Sequence, residues 1–280
     1  IDDPLGTAAS FWSGGCYCEH CVEGFRKYLK DNPPASSDEL KNMTDIRVLH
    51  HDHGDQELKN RPFAKQYYKY QLSAASKLAA ELKQIAVKER GKSIPLGINL
   101  APYHRSVPYY IDSLDFFTSE IKLNAADGLE KSNSLLALKL SEALNRPLVL
   151  MGRGRDHAYI QTHQSSGLVR AWVGEAYANG AFFSAPYRLW ALHPEKGQHH
   201  YRPVFPSEVS SVFDFIKSNS RLFDDHAGVA NVALIYQWPA LLDDEIDIET
   251  VIAALADRNI MFRIELAGFG KKELALKQLK

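Results

Sequence analysis

Hydrophobic and polar residues along this chain follow two patterns, one typical of amphipathic helices and one typical of buried strands. Apolar side chains recur every three or four residues over 21–30, 61–90, 132–145, 165–179 and 206–222, which predicts five helices. The segment 61–90 has Pro62 in its first turn and Gly91 at its end, as helix boundaries often do. Short apolar runs at 94–100, 114–121, 147–153 and 181–187 predict buried strands.

The alternation of these elements predicts the fold class. Near-continuous apolar strands that alternate with helices indicate parallel strands covered on both faces, and therefore an α/β fold. A polar break at 224–228 is followed by a second series, in which 229–236, 247–258 and 260–264 read as strand, helix and strand. This order is the opening unit of a doubly wound sheet. We therefore expect two domains, residues 1–224 and residues 225–280.

Composition and charge limit the classes of function that this chain can have. Hydrophobic residues make up 45% of the chain and charged residues 24%, which is typical of globular proteins. The formal net charge of −1 predicts no nucleic acid partner, and no apolar run approaches the ~20 residues of a membrane helix. The chain begins at Ile1, which indicates either a removed leader or a start within a longer protein, and the pattern assigns no compartment.

Three cysteines, Cys16, Cys18 and Cys21, lie within six residues of one another. An odd number packed so closely argues against a disulfide framework and favours metal ligation, although three reduced cysteines could also pack as small apolar groups. The histidine-rich segment 50–53 is more typical of a solvated loop, because no second ligand cluster follows at a useful spacing.

Polar and aromatic residues lie at or just after the C-terminal end of each predicted strand, where the active site of a parallel barrel lies. The candidates are Asn99, Tyr103 and His104 after the first strand, Glu120 after the second, Arg153, Arg155 and Asp156 after the third, and Tyr187 and Trp190 after the fourth, with Asp2 and Asp3 before the cysteines. Aromatic rings stack on sugar rings, Arg and Asn bind hydroxyls, and two carboxyl groups cleave glycosidic bonds. The collection predicts a carbohydrate site.

Each candidate also has a structural alternative. A carboxylate such as Glu120 after an apolar strand is costly unless it is paired or used. Arg153 and Arg155 could form structural ion pairs, and Tyr187 and Trp190 could belong to the core.

The cysteine segment, followed by Phe25-Arg26-Lys27-Tyr28-Leu29, resembles the glycoside hydrolase family 42 β-galactosidases and their barrel relatives. The resemblance spans residues 1–265 in element order, but only the cysteine segment is specific in sequence. It implies a (β/α)₈ TIM barrel, of which this chain covers strands 4–8, followed by the start of a flavodoxin-like trimerisation domain whose first strand is 232–236. It also implies a homo-oligomer, a trimer or a dimer, and places Asp2 or Asp3 at the acidic end of strand 4.

The resemblance further implies a metal and a catalytic pair. Cys16, Cys18 and Cys21 would bind a structural Zn²⁺, whose fourth ligand in the family is an upstream cysteine and for which His20 is the local substitute. The family's nucleophile is a Glu just after a Met at the end of strand 7, whereas here Gly152 follows Met151. The second carboxylate must come from elsewhere, and Glu120 is the first choice and Asp156 the second.

Three functions are compatible with these residues. The first is a β-galactosidase-like glycoside hydrolase with two carboxylates at the barrel mouth. The second, motivated by Gly152, is a catalytically inactive barrel that binds carbohydrate. The third, an unrelated zinc-dependent hydrolase, is disfavoured because three thiolates leave a metal closed and suited to holding a fold rather than activating water.

Overall fold

The computed structural model describes residues 17–33, 63–104, 106–121, 134–165, 167–185, 189–193, 197–201, 206–224, 228–238 and 248–267. The chain divides into two compact units. The first contains residues 1–98, 105–114 and 239–245, and the second contains residues 99–104, 115–238 and 246–280. Among the described helices, none is long and apolar enough to cross a membrane.

Helices and aromatic side chains build the first unit. Helix α1 runs over Glu19–Asp31 and α2 over Ala64–Arg90, which confirms the two helices predicted at 21–30 and 61–90. A short helix α3, Val107–Tyr110, leads into a 3₁₀ turn at Ile111–Ser113. The core of the unit is aromatic: the ring of Tyr67 stacks on Tyr17, with centroids 5.0 Å apart, and meets the edge of Phe25 at 4.9 Å. Such pairs stabilise beyond their buried area.

The apolar residues of α2 are buried only in part. Leu78, Leu82 and Ile85, which share the helical spacing of Tyr67, are exposed by 57%, 44% and 57% of their area. The buried residues of α2 lie mainly in its N-terminal half, where Tyr67 and Leu72 are fully covered. Periodicity identifies an apolar face but does not say what covers it.

The second unit contains most of a four-stranded sheet. Its strands β1 (Gly97–Asn99), of which only Asn99 belongs to the second unit, β2 (Phe116–Ile121), β3 (Leu148–Gly152) and β4 (Phe182–Phe183) lie in that order. Both β2 with β3 and β3 with β4 pair in parallel. Helices α4 (Ser134–Leu144), α5 (Gly154–His163) and α6 (Gly167–Ala178) alternate with the strands. The prediction of an α/β fold with parallel strands is confirmed, while barrel closure stays a prediction.

Two elements of the second unit were not predicted. No helix is predicted directly after the strand at 147–153, but α5 begins at Gly154, with only Arg153 between it and the end of β3. Strands β5 (Leu189–His193) and β6 (Gly197–Tyr201) form an antiparallel hairpin, in which Trp190 pairs with His200. Neither element has the long apolar periodicity that marks the others, since both are short and rich in polar residues.

The last described elements follow the predicted strand, helix, strand order. Helix α7 (Pro206–Ser218) and a 3₁₀ turn at Ser220–Leu222 precede β7 (Val232–Gln237), α8 (Ile248–Asp257) and β8 (Phe262–Ala267). Strands β7 and β8 pair in parallel, with Val232 opposite Phe262. The Nζ atom of Lys139, on α4, lies 5.9 Å from the ring centre of Phe262. The domain boundary at 225 stays a prediction.

Candidate functional site

The carboxyl ends of β2 and β3 bring two charged side chains together. In the parallel register Glu120 lies opposite Met151, and Arg153 follows two residues later. The Nε atom of Arg153 lies 3.9 Å from the Oε2 atom of Glu120, an ion-pair distance that is too long for a hydrogen bond. The side chains are 41% and 50% exposed, respectively, so both can be reached from solvent. Of the predicted carboxylates, Glu120 therefore stands where parallel α/β folds place catalytic groups.

Gly152, at the end of β3, is a point of close packing. A Cβ atom on this residue would lie 2.6 Å from Cζ3 and 2.9 Å from Cη2 of Trp172, and 2.7 Å from Nε2 of His157. Contacts this short between heavy atoms do not occur without displacement. The space that a side chain at position 152 would need is thus filled by two rings.

His157 is the most unusual side chain at this end of the sheet. Its ring has no exposed surface and meets the edge of Trp172, with centroids 5.4 Å apart. Within the described part of the chain, neither ring nitrogen has a hydrogen-bond partner of good geometry. Burial lowers the pKa of His157 to about 4, although the charge of Asp156 and the backbone of Gly152 act in the opposite direction. The ring is therefore neutral at pH 7.

Asp156, the reserve carboxylate, is only 2% exposed and lies in the first turn of α5. A negative charge is favourable there, because the amide groups at a helix N-terminus carry partial positive charge. The charge of Asp156 acts to raise the pKa of its neighbour His157, against the larger effect of burial. Between the two described carboxylate candidates, only Glu120 faces solvent.

Three further candidates lie after β1 in the second unit. Asn99 is the last residue of the strand and is half-buried. The backbone N–H of Leu100 donates to the Thr118 carbonyl at 3.0 Å, so the chain stays beside β2 as it leaves the strand. Tyr103 and His104 are half-buried in the turn that follows, which is closed by a hydrogen bond from the His104 N–H to the Ala101 carbonyl.

Other predicted site residues lie partly or wholly outside the residues that the structure describes. The backbones of Arg155 and Trp190 lie in α5 and β5, but their side chains are outside the described part. Entirely outside the described residues are Asp2, Asp3, Cys16, Tyr187 and the histidine segment 50–53.

The predicted zinc ligands are described in part. Cys18 lies directly before α1 and is exposed, and Cys21 lies in the first turn and is half-buried. The positive end of a helix favours the thiolate form that zinc requires, so the donor chemistry of these two residues fits the metal. No group of three or more potential ligands occurs among the residues that are described, and the third cysteine, Cys16, lies outside them.

Sequence reasoning did not select His157, Gly152 or Trp172 for the site. His157 stands in the polar segment after β3, and Trp172 was assigned only to an amphipathic helix. The single available signal was the departure at Gly152 itself, where a glycine follows a strand at a position that carries a carboxylate in the resembling family. The reason for the glycine became visible only from the two rings packed against it.

No protein-family model and no solved structure matches this chain. It is similar to the α-agarase of Thalassotalea agarivorans, with 20% identity over 281 aligned residues, covering 91% of this chain and 19% of the relative. It is likewise similar to the α-agarase of Alteromonas agarilytica, with 19% identity and the same coverages. The chain thus spans about a fifth of the length of these relatives.

α-Agarases are glycoside hydrolases, so the comparisons support a distant relationship to that class. The narrower expectation, membership of the family 42 β-galactosidases, stays a prediction.

Proposed function

We propose that this chain belongs to a glycoside hydrolase with a (β/α)₈ barrel, in which Glu120 supplies one of the two catalytic carboxylates. The observation that carries the proposal is the position of Glu120: it ends a parallel strand, is half exposed, and faces the guanidinium that follows the neighbouring strand. The distant similarity to α-agarases agrees with this reaction class.

The chemistry requires two carboxyl groups with different roles. One protonates the departing oxygen, and the other either attacks the sugar or activates water, with separations of about 5–5.5 Å in retaining and about 6.5–9.5 Å in inverting enzymes. Glu120 is one member of the pair, and Asp2 or Asp3 is our proposal for the other. Arg153, beside Glu120, would bind sugar hydroxyls through its guanidinium N–H groups.

Agar is the substrate that we propose to test first, because both relatives are named for it. The resemblance to β-galactosidases makes a chromogenic β-galactoside the second substrate. The structural zinc site at Cys16, Cys18 and Cys21 is part of the same proposal and would hold the start of α1 in place. Its role would be in the fold and not in bond cleavage, since three thiolates with a fourth protein ligand would fill the four positions around zinc and leave none for water.

The test compares the wild-type chain with Glu120→Gln and with the matched control Glu142→Gln, which replaces an exposed carboxylate that pairs with Lys139 on α4. Reducing ends released from agar, and nitrophenol released from the β-galactoside, are measured. We expect Glu120→Gln to lose activity by about 10²–10⁴-fold, the size of a lost acid or base. Glu142→Gln should stay within about twofold of wild type, because surface substitutions away from a site change little. Normal turnover by Glu120→Gln would remove Glu120 from the proposal.

A carbohydrate-binding barrel without catalysis is the second candidate. The packing at Gly152 favours it, because the rings of Trp172 and His157 leave no room for a strand-end carboxylate there. Under this alternative the wild-type chain is retarded in an agar-containing gel but releases no reducing ends. Retardation together with turnover would reject it.

A further inference from the structure

His157 takes part in no step of the proposed reaction, yet it lies beside Gly152 at the end of β3, close to the site. It is completely buried, its ring lies against Trp172, and its Nε2 atom points at the place where a side chain of Gly152 would be. Helical side chains lean toward the N-terminus of their helix, so the ring of His157 reaches back from α5 to the end of β3. Gly152 and the rings of His157 and Trp172 therefore pack closely together.

A purely structural explanation of this residue meets an energetic difficulty. Within the described residues, both ring nitrogens of His157 lack a hydrogen-bond partner of good geometry. A buried polar group without a well-formed hydrogen bond is destabilising, and an apolar side chain of similar size would avoid that penalty. Buried polar groups of this kind call for a specific reason.

The backbone connects His157 to the charged pair. The His157 N–H donates to the Arg153 carbonyl at 3.0 Å, and Arg153 is the N-cap of α5 with extended backbone angles of −69° and 151°. The side chain of Arg153 itself makes no capping hydrogen bond to this helix end. The first turn of α5, which follows Arg153 directly, packs through the ring of His157 against Trp172 and the end of β3.

We propose that His157 is a positioning residue, whose buried ring holds the first turn of α5 so that Arg153 faces Glu120. The proposal rests on the proposed function for its catalytic meaning, but its structural content can be measured without any substrate. His157 touches neither substrate nor reacting atoms. It acts through Arg153, whose Nε atom is buried and lies 3.9 Å from the Glu120 carboxylate.

The decisive measurement is hydrogen exchange of the Arg153 Nε–H group by nitrogen-15 NMR in the 280-residue chain. A buried N–H exchanges slowly, so the wild-type signal should exchange at least about tenfold more slowly than that of an exposed arginine such as Arg90. Arg153→Lys, which has no Nε–H, assigns the signal. His157→Ala should abolish the protection, and His157→Gln, a planar neutral side chain of similar reach, should restore most of it. His163→Ala, an exposed histidine on the same helix, is the control and should leave it unchanged.

All variants are compared at a temperature at which unfolding titrations show them to be fully folded. Retained protection in folded His157→Ala would overturn the proposal, because a structural core residue lowers stability without releasing Arg153. If His157→Ala does not fold, the comparison of wild type with His157→Gln and His157→Phe decides: the Phe ring cannot fit against Gly152 as His does, so protection should be kept by Gln and lost by Phe. Equal protection in these two variants would overturn it as well.

Activity measurements distinguish a failure of this proposal from a failure of the proposed function. In the agar assay, His157→Ala should lower kcat by up to about 10²-fold, the effect of misplacing a group near the reaction. If Glu120→Gln leaves turnover unchanged while the Arg153 signal responds to His157 as expected, the proposed function fails and the positioning role stands. If Glu120→Gln abolishes turnover while the substitutions of His157 leave the exchange of the Arg153 signal unchanged, the proposed function stands and the positioning role fails.

Discussion

The guanidinium of Arg153, which follows β3, faces the carboxylate of Glu120, which ends β2, with Nε and Oε2 3.9 Å apart. The two residues are 33 positions apart in sequence, and the parallel register between Glu120 and Met151 brings them together. Because both side chains are about half exposed, solvent screens their attraction, and such pairs contribute only about 0–1 kcal/mol to stability. The pair therefore contributes little to holding the fold.

Replacing Arg153 by Gln should separate activity from stability. We expect the free energy of unfolding to change by less than about 1 kcal/mol, since the pair is screened, while turnover of agar falls by about tenfold or more. Urea unfolding and reducing-end release measure the two effects. Arg146→Gln is the matched control, because Arg146 precedes β3 at the opposite end of the same strand. Equal losses of activity in both variants would contradict the assignment.

Gly152→Ala should destabilise the fold. The added methyl group would lie within 3 Å of atoms of both Trp172 and His157, and both side chains are buried. Overpacking of this kind costs about 1–3 kcal/mol, seen as a lower urea midpoint. Gly174→Ala, on α6, has no atom within 4 Å of its new methyl group and should stabilise the helix by up to about 1 kcal/mol. A neutral Gly152→Ala would mean that the rings can withdraw.

His157 should make stability depend on pH. Its pKa is lowered to about 4 in the folded chain and is about 6.5 when unfolded, so between these values the unfolded state binds the extra proton. Stability should fall as pH decreases from about 6.5 to about 4, with no further loss from this group below that. Each pKa unit corresponds to about 1.4 kcal/mol, which gives a full effect on the order of 3 kcal/mol.

Urea unfolding at a series of pH values from 4 to 8 measures this dependence. His157→Gln should flatten the curve in that window, because the replacement has no titrating group there. His163→Gln, at an exposed position on the same helix, is the control variant. A wild-type curve that is already flat between pH 4 and 6.5 would contradict the burial of a neutral imidazole.

Zinc should bind the cysteine segment. Metal analysis of the purified chain should find about one zinc per chain, and Cys18→Ser with Cys21→Ser should remove it and lower the melting temperature, because α1 loses the anchor at its start. His20→Gln shows whether the local histidine completes the site: loss of zinc assigns the fourth ligand to it, and retention assigns that ligand elsewhere. Glu19→Gln is the control. A wild-type chain that neither carries zinc nor takes it up would end this assignment.

Much of the architecture followed from local pattern. The helical spacing around Phe25 and Tyr67 predicted α1 and α2, and the apolar runs predicted β2 and β3 as parallel neighbours. These features depend on residues close together in the chain, whose periodicity is written directly in the sequence. Local pattern does not predict that Leu78, Leu82 and Ile85 are exposed, because the burial of a helix face depends on what packs against it.

The position of Glu120 at a strand end was determined by the sequence, because an apolar run with a carboxylate at its end has one placement in a parallel sheet. That Arg153 is its partner, that α5 begins immediately after β3, and that His157 and Trp172 occupy the space at Gly152 were decided only by the tertiary structure. Register and side-chain packing join residues that are distant in the chain. Their outcome depends on which volumes fit together, and no local pattern records that.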